Sequence, residues 1–183
     1  MKTFFTVKFA LAPFVVFWAL LDFAPPGAAI MVGLILSVAG SAWRWRRRRI
    51  KSLEIGGLAI FIGLGFADLI VPQFAGPNAA FLSLTGLGLV CLVTVALRKP
   101  WTADYSRAAF AQVAESPIFQ AVNMALSALW GGLFLLLALM RMLQAGAMVT
   151  TAIVVAGALI SIFGPKLIAR VAISQRIATH ETY

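Results

Sequence analysis

The chain has 183 residues, 62% of them hydrophobic and 11% charged, and a formal net charge of +9. A water-soluble domain carries roughly 25% Asp, Glu, Lys and Arg, so this composition excludes a soluble globule, and with it a soluble nucleic-acid-binding unit built on the positive charge. Cys91 and His180 are the one cysteine and the one histidine, so a disulfide framework, a thiolate metal site and a histidine-ligated haem or metal are excluded within one chain.

The apolar runs do not alternate with polar residues as barrel strands would. The expected fold is all-α: a polytopic six-helix transmembrane bundle of three helical hairpins, one integral membrane domain over 1–183. Span one covers about 5–23. It resembles a signal peptide in position, but Lys8 interrupts it and it outruns a usual apolar signal core, so it reads as a retained span. Span two, 28–43, is short for a hydrocarbon core ~30 Å thick, and its flanking Trp and Arg side chains can extend it by snorkelling. Spans three to six cover 53–71, 79–97, 118–140 and 146–164. A loop helix over 104–115, capped by Asp104, is expected to lie on the membrane surface. A basic amphipathic tail over 165–183 should lie there too.

Between spans two and three the sequence reads "WRWRRRRIK", with Arg44, Arg46, Arg47, Arg48, Arg49 and Lys51. With the spans above, all but one of the 15 lysines and arginines fall on one side, Arg141 alone on the other. Cytoplasmic loops are the basic ones, so both termini are expected in the cytoplasm. The arginine loop holds this topology and can also hold anionic phospholipid headgroups, with Trp43 and Trp45 at the interface. Nucleic acid is not an expected partner.

Small residues recur at spacing four: Gly33, Ser37 and Ser41; Ala59, Gly63 and Ala67; Gly157 and Ser161. Such rows are expected to face other helices. Asp22 and Asp68 each precede a proline turn near the outer end of a span. They form either a polar cluster with Arg141 or interfacial groups that reach water. Glu54 is placed to pair with the arginine loop. Asn123 lies about two turns into span five, where lipid cannot satisfy an amide. It is expected to hydrogen-bond a neighbouring helix; the other reading has it touch a headgroup beside Lys99 and Tyr105. The loop "RKPWTADYSR" supplies Lys99, Pro100, Trp101 and Tyr105.

Several stretches together resemble the intracellular septation protein A family of small bacterial inner-membrane proteins. They are "APFVVFWALLD" in span one, the basic loop after span two, "RKPW" after span four, and "VNMALSALWGGLF" with Asn123 and Trp130. The resemblance covers most of the chain in order. It implies a multi-pass protein of the bacterial inner membrane, acting in septation and cell-envelope organisation, with no catalytic chemistry and no cofactor. The residues themselves offer no nucleophile–base pair, phosphate loop or metal cluster. The expected activity is non-enzymatic, through the lipid bilayer and through membrane-protein partners or a homo-oligomer. A small transporter or lipid translocase, suggested by the hairpin repeat, and an accessory subunit of a larger membrane complex are the alternatives.

Overall fold

The computed structural model describes the backbone of residues 2–46 and 50–180 and the side chains of 10–46 and 50–164. Among the described residues the fold is all-helical, without strands. The helices are α1 (Lys2–Leu20), α2 (Pro26–Arg46), α3 (Ser52–Ile70), α4 (Pro72–Ala96), the short α5 (Trp101–Ser106), α6 (Pro117–Met142) and α7 (Ala147–His180). Five of them, α2, α3, α4, α6 and the 147–164 part of α7, are long and apolar enough to cross a membrane. Within α1 the described apolar stretch is shorter, Ala10–Leu20.

Several boundaries differ from those expected. The proline stretch after α3 is not a long turn: α4 begins at Pro72 and runs through Pro77. Proline suits the first helical position, where its missing N–H has no partner to lose. Near Pro77 the Asn78 side chain donates to the Phe74 carbonyl at 2.8 Å. Span two gains its missing length the same way, starting at Pro26 and reaching Arg46, 21 residues in all. The loop helix is displaced and divided: α5 begins at Trp101, and a single 3-10 turn follows at Ala111–Val113. Pro165 does not end the last helix, which continues to His180.

Neighbours in sequence pack as neighbours in space along α1, α2, α3 and α4. Then α6 packs against α4, and α7 against α6. Three phenylalanines centre the first half. Phe14 and Phe61 lie with ring centroids 4.7 Å apart, and Phe17 meets Phe61 edge-on at 5.4 Å. Gly33 makes room for the Phe61 ring, since a Cβ there would overlap it. Between α4 and α6, Gly88 and Gly131 bring the backbones together; a Cβ on Gly88 would sit 3.0 Å from the Gly131 carbonyl oxygen. Close approach of this kind is what holds helices together where lipid and protein are equally apolar.

The small-residue rows are only partly the packing faces. Gly33 and Ser37 are buried on α2, and Gly157 faces Leu133 of α6. The α3 row is a correction. Ala59 and Gly63 are exposed, and a Cβ on Gly63 would meet nothing within 4 Å. The residues of α3 that pack closely are Gly56, against Val90, and Gly57, against Phe14.

Candidate functional site

The C-terminal end of α2, the start of α3, the C-terminal end of α4, α5 and the start of α6 meet at one end of the bundle, the arginine end. The sequence builds it locally first. Helix α3 opens with backbone N–H groups that need acceptors. Glu54 reaches back to the Lys51 N–H at 3.4 Å. Asp104, 52 residues further on, accepts from the Ser52 N–H at 3.0 Å and from the Ser52 hydroxyl at 2.6 Å. Asp104 therefore serves α3, not the loop helix it was expected to cap.

Glu54 is the hub. It forms an ion pair with Arg44, and the two side chains are only 7% and 11% exposed. The Tyr105 hydroxyl donates to the Glu54 carboxylate at 3.4 Å. Burial raises the Tyr105 phenol above its ordinary range, and the Glu54 charge adds to the shift; the hydroxyl keeps its proton and acts as donor. Lys51 lies over the face of this ring, its ammonium 3.8 Å from the centroid. One buried acid thus ties α2, α3 and α5 together.

On the far side of α5 the partners are on α6. Thr102 Oγ1 donates to the Asn123 carbonyl at 2.9 Å and lies 3.0 Å from the Ser127 hydroxyl. The Ser106 hydroxyl donates to Asn123 Oδ1 at 3.0 Å, and Asn123 Nδ2 donates to the Phe119 carbonyl at 2.9 Å. Asn123 is buried, with both ends of its amide bonded inside the protein. Tyr105 turns away from it toward α3. Pro100 and Trp101 are buried against α4, where the Trp101 backbone N–H donates to Thr94 Oγ1 at 3.3 Å; Lys99 is exposed. Trp43, Trp45 and Arg46 are exposed on the rim. Arg47, Arg48 and Arg49 lie outside the described residues, as do the side chains of the 165–183 tail.

The aspartates and Arg141 belong to the opposite end. Asp22 and Arg141 are exposed, and no ion pair joins Arg141 to either aspartate among the described residues. Asp68 instead lies against α2 and α4: a Cβ on Gly27 would come 2.8 Å from Asp68 Oδ2, and one on Gly76 3.8 Å from Oδ1. Its carboxylate faces the starts of two helices, where their dipoles are positive.

A narrow cleft of about 30 Å³ opens between α1, α2 and α3 beside the ion pair. Pro13, Leu36, Ser37, Gly40 and Ser41 form its walls, and Arg44 and Glu54 its polar end. Sequence reasoning reached Glu54 and the arginine loop but missed this cleft and the Asp104–Ser52 lock. The signal for the lock was the "KSLE" start of α3, which leaves one acceptor unsupplied. Comparison with protein-family models, with curated proteins and with solved structures returns no match.

Proposed function

We propose that the chain is a six-span protein of the bacterial inner membrane with both termini in the cytoplasm. It works without catalysis in envelope organisation and septation, by holding lipids or membrane-protein partners at the arginine end. One observation carries this reading. The polar side chains at that end bind one another: the buried Glu54 with Arg44 and Tyr105, the buried Asn123 with Ser106, and, at the surface, Asp104 with Ser52. Their joint effect is a fixed platform with a rim of exposed Trp43, Trp45 and Arg46. Aromatic and basic residues together suit a charged lipid–water boundary.

Reporter fusions after residues 25, 75 and 144 should appear outside the cell, and fusions after 50, 108 and 180 inside. An outside C-terminus would overturn the topology. Cells lacking the protein should show misplaced septa or a leaky envelope, and normal division with an intact envelope would overturn the role.

A second reading has its own support. On α7, Gly157 is the one buried residue over 147–164, and α7 packs on α6. A helix so sparsely covered suits an accessory subunit whose partner lies along α7. Purification in native lipid with identification of bound proteins separates the readings: a stoichiometric partner, lost when the exposed Val155 and Ile162 become tryptophan, favours the subunit.

A further inference from the structure

We propose that the cleft beside Arg44 seats the phosphate of one anionic phospholipid, whose acyl chains run along the outer face of α2. The inference rests on the membrane reading above and names the ligand of its arginine end.

A guanidinium has five N–H donors arranged as a rigid fork. Among the described residues, Glu54 is the one acceptor that Arg44 meets, through a single nitrogen. The side chain is 11% exposed, and the surface it retains borders the cleft. Its other donors are not among the buried atoms left without a partner, so they reach the cleft, where a phosphate can take the place of water. Phosphate oxygens match the fork in spacing and charge and bind it through two parallel hydrogen bonds.

The size and surroundings of the cleft choose the source of the phosphate. About 30 Å³ open to the centres of water-sized groups admits phosphoryl oxygens at the polar end. The rest of the molecule then meets apolar surfaces. Leu36 lines the cleft, and Ile35 and Val38 beside it on α2 are exposed at 60% and 48%. Gly40 leaves the mouth open, with nothing within 4 Å of where its Cβ would be. A free phosphate would gain nothing from these surfaces, whereas an acyl chain covers them. The pair Arg44–Glu54 is neutral as a unit, so the incoming anion draws on Arg46, exposed in the same last turn of α2.

The test uses the full chain, purified in detergent and titrated with phosphatidylglycerol, phosphatidylcholine or inorganic phosphate. Bound lipid is counted by native mass spectrometry, and stabilisation is read by thermal unfolding. One phosphatidylglycerol per chain should bind about tenfold or more tightly than phosphatidylcholine, a difference of ~1.4 kcal/mol. Inorganic phosphate should neither stabilise nor compete. Arg44→Lys keeps the charge but loses the fork, and should remove the preference. Gly40→Phe blocks the mouth without touching the ion pair; it should unfold at the wild-type temperature in phosphatidylcholine and also lose the preference. Arg46→Gln should weaken binding less than either.

Equal binding of the two lipids, competition by inorganic phosphate, or a preference that survives in Gly40→Phe would each overturn the proposal. Should Arg44→Lys fail to fold, Gly40→Phe decides alone. A chain that inserts into bilayers with the expected topology yet shows no lipid preference overturns only this inference. A chain that does not insert overturns the membrane reading as well.

Discussion

The two ends of the bundle are held by different forces. At the arginine end, side-chain hydrogen bonds and an ion pair connect α2, α3, α5 and α6 through Glu54, Asp104, Thr102 and Asn123. At the proline end, Asp22 and Arg141 are exposed and Asp68 rests against two glycines. That end is set by short turns and close backbone contact. The difference shows where a membrane bundle can encode its register. Apolar surfaces find lipid and neighbouring helices about equally favourable, so they hold helices without choosing among them. A buried acid or amide has few acceptable partners, and choosing one fixes the geometry.

The most direct way to break the contrast is to remove the hub. Glu54→Ala leaves the Arg44 guanidinium buried without its acid, an arrangement that destabilises by about 3 kcal/mol. Unfolding of the purified chain should report this. Replacing Arg44 and Glu54 together by methionine should recover most of the loss, because no unpaired charge remains. A single-variant loss below about 1 kcal/mol would show that the arginine end is held by packing instead.

Asn123 probes the same end from the side of α6. Asn123→Ala removes one of the two acceptors near the Ser106 hydroxyl, the other being the Thr102 carbonyl, and should destabilise by about 1 kcal/mol. Ser106→Ala breaks the same bond, so the double variant should lose clearly less than the two single losses added together. Strict additivity would separate the residues. If Asn123 instead contacted a headgroup, stability would hold while lipid binding fell.

Much of this end can be read from the chain, and the reasons are local. The apolar runs mark the helices because twenty residues of such composition have no other stable form in lipid. Glu54 lies close enough to the arginines to reveal their pairing, and an amide as deep as Asn123 must find a partner. The parts that escape reading depend on distance or on orientation. The acceptor for Ser52 comes from 52 residues away, through a helix only 6 residues long, and nothing periodic announces it. The spacing of Ala59, Gly63 and Ala67 is as regular as that of Gly33 and Ser37, yet Ala59 and Gly63 of the first row are exposed. Lipid accepts a small apolar face as readily as a neighbouring helix does, so spacing alone does not choose the packed side. The extent of α4 was hidden by Pro72 and Pro77, which signal a turn inside a helix but are tolerated close to its start.

At the proline end the two aspartates should behave differently from each other. Asp68 faces the positive starts of α2 and α4, so Asp68→Asn should destabilise by about 0.7 kcal/mol. Asp22 is exposed, and Asp22→Asn should leave unfolding unchanged. Reversing Arg141 to Glu should act independently of both, since no ion pair links them. Coupling between Arg141 and Asp22 would restore the polar cluster and narrow the contrast between the ends.

The smallest effect compares how helices stop at the two ends. Arg98, after α4, and Gln144, after α6, have φ of 55° and 53°, the left-handed region where a Cβ is crowded. Both belong to the same closing motif. Lys99 N–H reaches the Thr94 carbonyl and Ala145 N–H the Met140 carbonyl, each at 2.9 Å. Glycine is the usual residue at this position because it enters the region without strain. Gln144→Gly should therefore stabilise the chain by about 0.5 kcal/mol, the relief of strain outweighing the added freedom of the unfolded backbone. Gln144→Ala keeps the Cβ and should gain nothing, which separates backbone strain from loss of the glutamine side chain. Arg98→Gly should gain as much from the backbone, because among the described residues the hydrogen bonds made there, Arg98 N–H to the Val95 carbonyl at 2.9 Å and Gln120 Nε2 to the Arg98 carbonyl at 2.7 Å, use its main chain. It also removes a cation from the arginine end. If Arg98→Gly gains clearly less than Gln144→Gly, the deficit measures what a single rim charge contributes to that end. Equal gains would show that the rim cations are spare for stability and available to a ligand.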